Sequence, residues 1–182
     1  ISGRSLLKLT DSVLTGQGKR ESGGFFGEDL ENLIAQNVSF KAKIVAGDER
    51  ESVEKTDVRS RKILNFGHTF AHALERATDY RYLKHGEAVG YGILFAAELS
   101  KKLEMLAADE LKLLNDVVRR AGTLPPLDGI DRENVVAAFS KDKKNIGNDL
   151  QWILLQGIGK PLIIPGSEIP PLNIVVRAMS SS

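Results

Sequence analysis

The chain has 182 residues, of which 42% are hydrophobic and 27% charged, and its formal net charge is +1. This composition is ordinary for a globular protein, and the near-neutral charge gives no argument for binding to nucleic acid or to a membrane. The chain contains no cysteine, which excludes disulfides and thiolate metal sites, and the lack of a membrane-spanning run or a secretory pattern favours a cytoplasmic protein.

Apolar residues at helical spacing predict two helices in the first part of the chain. Residues 5–14 are expected to form a short helix, followed by a polar, glycine-rich loop over 16–24. A longer helix is expected from residue 28 to about residue 46. Its apolar residues share one side: Leu30, Leu33, Ile34, Val38, Ala42 and Val45.

All three histidines of the chain fall close together, at His68, His72 and His85. The first two are four residues apart, so a helix would place both imidazoles on one face, about one turn apart. His85 opens the stretch HGEAVGYG, which predicts the start of another helix. Imidazole is the commonest metal-binding side chain, and catalytic zinc sites often combine histidines with a carboxylate. A histidine pair at this spacing is more often a coincidence or a buried, hydrogen-bonded pair than a metal site, so the neighbouring residues decide between these interpretations.

The residues around the first histidine pair favour a site. We expect Ser60 to cap a helix on which Arg61, Asn65 and His68 form one stripe. A stripe of cation, amide and imidazole is more typical of a binding site than of a solvated surface, which would carry Glu and Lys. The opposite stripe is apolar and predicts a core face: Ile63, Leu64, Phe66, Phe70, Ala73 and Leu74.

Three more helices are predicted beyond the second histidine. Residues 87–103 are apolar around most of the circumference, which indicates the central helix of a bundle. Gly90 and Gly92 on it would let another backbone approach closely. An amphipathic helix is expected over 108–121, and Asp131 is expected to cap a helix running to about residue 140.

The end of the chain predicts the only strands. Residues 151–155 and 161–164, joined through Gly157 and Gly159, indicate a β-hairpin. A further short helix is expected after Pro171. The expected fold class is therefore mostly α, a multi-helix domain with a small β-hairpin near the C-terminus.

Four stretches, in the correct order, resemble the signature of the dehydroquinate synthase family of sugar phosphate cyclases. The central stretches are RKILNFGHTFAHALE at 61–75 and HGEAV at 85–89. Upstream, KAKIV and DERE between residues 41 and 51 resemble the family's K-A-x-V-V-x-x-D-E-x-E. Downstream, DKKN at 142–145 and the hairpin resemble its D-K-K element. The resemblance implies that residues 1–182 are the family's C-terminal metal- and substrate-binding helical domain.

The resemblance also implies an activity. It is the conversion of a sugar acid phosphate, 3-deoxy-arabino-heptulosonate 7-phosphate, to 3-dehydroquinate and phosphate in the shikimate pathway, with NAD and Zn²⁺ or Co²⁺ as cofactors. The family's proteins begin with an NAD-binding domain, and no strand–GxGxxG–helix unit appears in this chain. We therefore expect NAD to bind to the protein's own N-terminal domain outside this sequence, and the isolated chain to be inactive. The intact enzyme is expected to be a homodimer, with no nucleic-acid or membrane partner.

The histidines acquire roles through the same resemblance. His68 and His85 match two metal ligands of the family. The third ligand is a glutamate, which the resemblance places upstream of Ile1 and therefore outside this sequence. His72 matches a catalytic, substrate-contacting histidine.

Acidic residues near these groups are expected to have supporting roles. Glu87 is expected either to orient His85 or simply to begin the next helix favourably. Asp48 and Glu51 are expected to organise the basic residues through ion pairs.

The basic pocket is implied by the resemblance as well. Lys41, Arg61 and Asn65 match catalytic and substrate-binding residues that hold the phosphate and the carboxylate, which a guanidinium can bind in bidentate fashion. Lys143 and Lys144 match the substrate-binding D-K-K element, and because they are adjacent, one of the two is expected to face the substrate.

Three alternatives stay open or are disfavoured at this point. A sister cyclase, of the 2-deoxy-scyllo-inosose or 2-epi-5-epi-valiolone synthase type, stays open because residues 52–60 look like an insertion and Ala71 stands where the family usually has glycine. An iron-type alcohol dehydrogenase is disfavoured, since an alcohol offers no phosphate for Arg61 and Asn65. A helical remnant without catalytic activity, acting as an interaction or folding module, is the remaining possibility.

Overall fold

The computed structural model describes residues 2–16, 28–50, 52, 57–146 and 151–166. Within these residues the chain is mostly helical with one small antiparallel sheet, as the sequence predicts. The helices are α1 (Arg4–Thr15), α2 (Glu28–Gly47), α3 (His68–Ala77), α4 (His85–Lys102), α5 (Ala108–Ala121) and α6 (Arg132–Ile146), with a short 3₁₀ helix (Arg61–Asn65) before α3; the strands are β1 (Gln151–Leu155) and β2 (Pro161–Pro165).

Helix α4 is the centre of the fold, because α3, α5 and β1 all pack against it. Apolar residues on several sides of α4 are buried, as a helix that is hydrophobic around most of its circumference requires. This confirms the prediction of a central helix. Its buried residues are Ala88, Gly92, Leu94, Phe95, Ala96, Ala97, Leu99 and Ser100.

Aromatic rings fill the space between the helices and the hairpin. Phe70 of α3 stacks on Phe95 of α4 with 4.1 Å between ring centroids, and Trp152 of β1 contacts both Phe95 and Phe139 of α6. The strands pair antiparallel, with Ile153 opposite Ile163, and most of β1 is buried. The hairpin thus closes the core beneath α3 and α4.

The single helix predicted from Ser60 onward is wrong. Ser60 caps the 3₁₀ helix instead, accepting a hydrogen bond from the Lys62 amide at 3.3 Å, and α3 begins only after Gly67. Gly67 has φ of +86°, a backbone conformation that glycine adopts without strain. A Cβ built on Gly92 would lie 1.9 Å from the Gly67 carbonyl oxygen, so the two backbones touch. The helix is broken before α3 because the backbone at Gly67 must take this conformation to contact α4.

Other details also differ from the predicted elements. The apolar side of α2 is not a buried face, since Val38 is 63% exposed and no residue of α2 is fully buried. Gly90 approaches the Leu124 side chain rather than a backbone. Helix α6 continues past residue 140 to Ile146.

Two predicted elements fall outside the described residues. These are most of the loop over 16–24 and the short helix after Pro171. Across the described helices, none is both long enough and apolar enough to cross a bilayer.

Candidate metal and substrate site

The structure brings all three histidines together where α3 and α4 begin. His68 is the first residue of α3 and His85 the first residue of α4, and their ring centroids lie 5.4 Å apart. His72, one turn along α3, lies 5.7 Å from His68 and 6.5 Å from His85. The Gly67–Gly92 backbone contact sets this spacing, because it holds α3 against α4 one residue before His68.

A residue that the sequence reasoning missed belongs to this cluster. Glu75, on the last turns of α3, is only 7% exposed, and its Oε1 lies 2.9 Å from Nδ1 of His85. Glu87 has the other role considered for it, because its carboxylate accepts a hydrogen bond from the Lys84 amide at 2.8 Å and so starts α4. Glu75 follows His68 and His72 at helical spacing on one stripe. This spacing is the sequence pattern from which its place in the cluster could have been predicted.

The environment of His68 favours its neutral form. Its Nδ1 is buried and has no hydrogen-bond partner among the described residues. Burial lowers the pKa of His68, a backbone contact at Phe66 opposes this, and the neighbouring His72 and His85 lower the pKa further. Because a metal ion binds only the neutral imidazole, both observations fit a metal ligand.

These groups make an incomplete metal site. Among the described residues, no three His, Asp or Glu side chains are arranged to hold a metal ion by themselves. His68 and His85 could supply two nitrogens, while a zinc site needs three or four ligands. The arrangement fits a divalent metal only when a further ligand is added.

The third ligand expected from the resemblance cannot be placed in this chain. The glutamate was expected upstream of Ile1, which is where the sequence begins, and Ile1 itself lies outside the described residues. Glu75, the carboxylate that the structure does bring to the cluster, contacts the His85 ring and does not complete the ligand set. The upstream glutamate therefore stays a prediction.

The segment before α3 is held by one buried carboxylate. Asp48 is 7% exposed and accepts hydrogen bonds from the backbone amides of Arg61 at 2.8 Å and Ser52 at 2.9 Å. Arg61 itself donates from Nη1 to the Glu49 carbonyl oxygen at 3.3 Å. Asp48 therefore fixes the backbone of the segment that carries Arg61.

The structure shows no hydrogen bond between the remaining candidate residues and the histidine cluster among the residues that it describes. Asn65 ends the 3₁₀ helix and is exposed, and Lys41 is exposed on α2, the helix that packs against the 3₁₀ helix. Lys143 and Lys144 lie on the last turns of α6, and their side chains fall outside the described residues. The roles of these four residues stay predictions.

A cavity of about 610 Å³ lies on the other side of α3. Phe70 and Leu74, which line it, point away from the stripe that carries His68 and His72, and no histidine lines it. The cavity is therefore separate from the histidine cluster.

A comparison with known protein families finds a match for the segment that contains this cluster. Residues 14–145 match the model of the 3-dehydroquinate synthase C-terminal domain. The chain belongs to this family. The match includes α2, the 3₁₀ helix and all three histidines.

Curated relatives agree with the family assignment. The chain is 37% identical over 155 residues to a 3-dehydroquinate synthase of Solibacter usitatus (strain Ellin6076), covering 85% of this chain and 41% of that protein. It is 40% identical over 155 residues to one of Endomicrobium trichonymphae, again covering 85% and 41%. The chain thus spans about two fifths of the length of these relatives.

Solved structures show the same fold. A 2-epi-5-epi-valiolone synthase from Streptomyces hygroscopicus subsp. jinggangensis 5008, with NAD⁺ and Zn²⁺ bound, superposes with a TM-score of 0.70 at 20% identity over 97% of this chain and 46% of that one. A 2-deoxy-scyllo-inosose synthase with carbaglucose-6-phosphate, NAD⁺ and Co²⁺ gives 0.62 at 21% identity over 97% and 52%. At this identity the two structures establish the fold of the chain alone.

Proposed function

We propose that the chain is the metal- and substrate-binding domain of a 3-dehydroquinate synthase. The complete enzyme would convert 3-deoxy-arabino-heptulosonate 7-phosphate to 3-dehydroquinate and phosphate, as a cytoplasmic step of the shikimate pathway. The observation that carries the proposal is the cluster of His68, His72, His85 and Glu75, which lies inside the segment matched by the family model. Relatives named for this activity at 37–40% identity support the choice of substrate.

The residues of this chain would divide the work by their chemistry. His68 and His85 would hold a divalent metal, and we propose Zn²⁺. Such an ion polarises a substrate oxygen and lowers the barrier to loss of its proton. His72 is exposed beside them, where it would contact the substrate as a general acid or base.

The phosphate and the carboxylate of the substrate need cations. Arg61, whose backbone amide is held by Asp48, has a planar guanidinium suited to bidentate contact with either group. Lys41, Asn65 and one of Lys143 and Lys144 would complete the pocket. Together these residues orient the substrate and offset the negative charge of the departing phosphate.

The rest of the protein would supply the other parts. In this proposal, the NAD-binding domain and the glutamate that serves as third metal ligand belong to the three fifths of the relatives' length that this chain does not span. The complete enzyme would pair with a second copy of itself as a homodimer. The substrate is expected to bind in a cleft between the two domains.

A zinc titration of this chain tests the proposal. With two histidine ligands, the wild-type chain should bind Zn²⁺ weakly, and both His68→Ala and His85→Ala should weaken binding by about tenfold or more, because each removes one of two protein ligands. Lys112→Ala, an exposed change on α5, should leave the affinity unchanged. Isothermal titration calorimetry measures all four. Equal affinity in the wild type and the two histidine variants would overturn the proposal.

A further inference from the structure

The contact between Glu75 and His85 joins two ionisable groups of the cluster. The proposed function gives His85 a role in metal binding but gives Glu75 none. Glu75 is 7% exposed, whereas the His85 side chain is 61% exposed. The carboxylate is thus fixed inside the fold and the imidazole reaches outward from it. An ionised carboxylate accepts hydrogen bonds and cannot donate one, so with Glu75 ionised Nδ1 of His85 is the donor.

We infer that Glu75 is a positioning residue, which holds His85 in the tautomer with hydrogen on Nδ1 and leaves Nε2 as the free nitrogen. The inference rests on the proposed function for its metal, whereas the tautomer requires only the contact with an ionised Glu75. Metal-binding histidines commonly donate their second ring nitrogen to a carboxylate in this way, which fixes the ring and makes the other nitrogen a stronger ligand.

The positions of the two residues support this assignment. Glu75 lies near the end of α3 and His85 begins α4, so the contact joins the two helices on the face that carries His68 and His72. Its Oε1 meets Nδ1 at 2.9 Å, an ordinary hydrogen-bond distance. Glu87, only two residues from His85, is occupied instead by the Lys84 amide.

A purely structural role would have different consequences. If Glu75 only joined α3 to α4, its loss would lower the stability of the metal-free chain and leave the tautomer and the metal affinity unchanged. A positioning role predicts instead that the tautomer and the metal affinity change, because the largely solvated His85 ring is no longer held once its partner is removed.

The experiment compares wild type, Glu75→Gln, Glu75→Leu and the matched control Glu87→Gln. Competition with a chelating dye gives the Zn²⁺ affinity, ¹⁵N NMR of the metal-free chain at pH 8 gives the His85 tautomer, and urea unfolding of the metal-free chain gives stability. We expect the dissociation constant to rise about tenfold in Glu75→Gln and up to about 100-fold in Glu75→Leu, the range seen for such outer partners. Glu87→Gln should stay within about twofold of wild type, because Gln can still accept from the Lys84 amide.

The tautomer decides the inference even where zinc binding is weak. In wild type His85 should carry hydrogen on Nδ1, and in Glu75→Leu both tautomers should be populated. An unchanged tautomer with unchanged zinc affinity would refute the positioning role and leave the proposed function standing. Absence of zinc binding in wild type, with the Nδ1–H tautomer present, would refute the proposed function and keep the positioning of His85.

Discussion

Buried polar side chains in the described part of the chain sit where one segment meets another. Asp48 joins the end of α2 to the backbone before α3, and Glu75 joins α3 to the first residue of α4. Ser100 of α4 accepts a hydrogen bond from the Leu155 amide of β1 at 3.0 Å. A buried polar group without a partner costs about 1–3 kcal/mol, so each of these contacts also restricts how its segments can be arranged.

A partly buried carboxylate performs the same task near the N-terminus. Glu110 of α5 accepts hydrogen bonds from Arg4 of α1 at 2.9 Å and from the Ile158 amide in the hairpin turn at 3.1 Å. Burial raises the pKa of Glu110, but the hydrogen bond and charge of Arg4 and the Ile158 amide outweigh burial and hold this pKa below its usual value.

This carboxylate predicts a pH dependence of stability. Because the folded pKa is depressed, the contribution of Glu110 is complete above about pH 4.5, its unfolded value, and is lost as the pH falls through the folded value. The difference in unfolding free energy between wild type and Glu110→Gln, measured by urea titration from pH 7 to pH 3, should therefore shrink below pH 4.5. Asp109→Asn, at a side chain that is 76% exposed, should show little difference throughout. A Glu110 difference that is independent of pH would contradict the prediction.

The sequence identified the histidine cluster but not all of its partners. Imidazoles at His68, His72 and His85 stand out because the chain has no other histidine. Glu75 is one acid among many in the sequence, and only the approach of α3 to α4 gives it a partner. The Arg4–Glu110 contact joins residues 106 positions apart, and no local pattern predicts such a pair.

At the scale of elements, periodicity predicted the helices and the hairpin, but not the break between the 3₁₀ helix and α3. Hydrophobic spacing runs through residues 61–77 without interruption, so the sequence alone favours one helix. The interruption at Gly67 comes from the backbone of α4 at Gly92, a contact between segments that are distant in sequence. The exposed apolar side of α2 is a second example, since spacing predicts a face but not what covers it.

The Gly67–Gly92 contact gives the element-scale prediction. Gly92→Ala should destabilise the chain by about 3 kcal/mol or more, because the new methyl group meets a carbonyl oxygen of the backbone rather than a movable side chain. Gly86→Ala, on the same helix with open space around the added carbon, should be neutral or stabilising by up to about 1 kcal/mol. Urea unfolding measures both. Equal stabilities for the two variants would show that α3 can move away from α4 at little cost.

At the scale of the whole molecule, the described helices and the hairpin share one core centred on α4. Phe95 lies at its middle, 1% exposed, between Phe70 and the only tryptophan, Trp152. The composition and the apolar circumference of α4 were enough to predict such a core. They could not predict which helix face stays exposed, because this depends on what packs against each helix. The chain spans only two fifths of its relatives' length.

Removing the central ring should weaken the whole core. Phe95→Ala is expected to cost about 3–5 kcal/mol, from lost burial and the space left behind. Because Trp152 contacts Phe95, its fluorescence should report the same urea transition as far-ultraviolet circular dichroism. Val38→Ala, at a side chain that is 63% exposed on α2, should change stability by no more than about 0.5 kcal/mol. Separate midpoints for the two signals would mean that the hairpin and the helices unfold independently.

The starting points of α3 and α4 have an electrostatic consequence. Each helix begins at a histidine, and neither Gly67 nor Lys84 before it supplies a side-chain cap. The aligned peptide dipoles of a helix leave about half a positive charge at its N-terminus. Two such ends meet beside His68 and His85, where they offset part of the charge of the nearby carboxylates of Glu75 and Glu87. A phosphate or carboxylate arriving there would meet this dipole contribution at every pH, because backbone amides do not titrate.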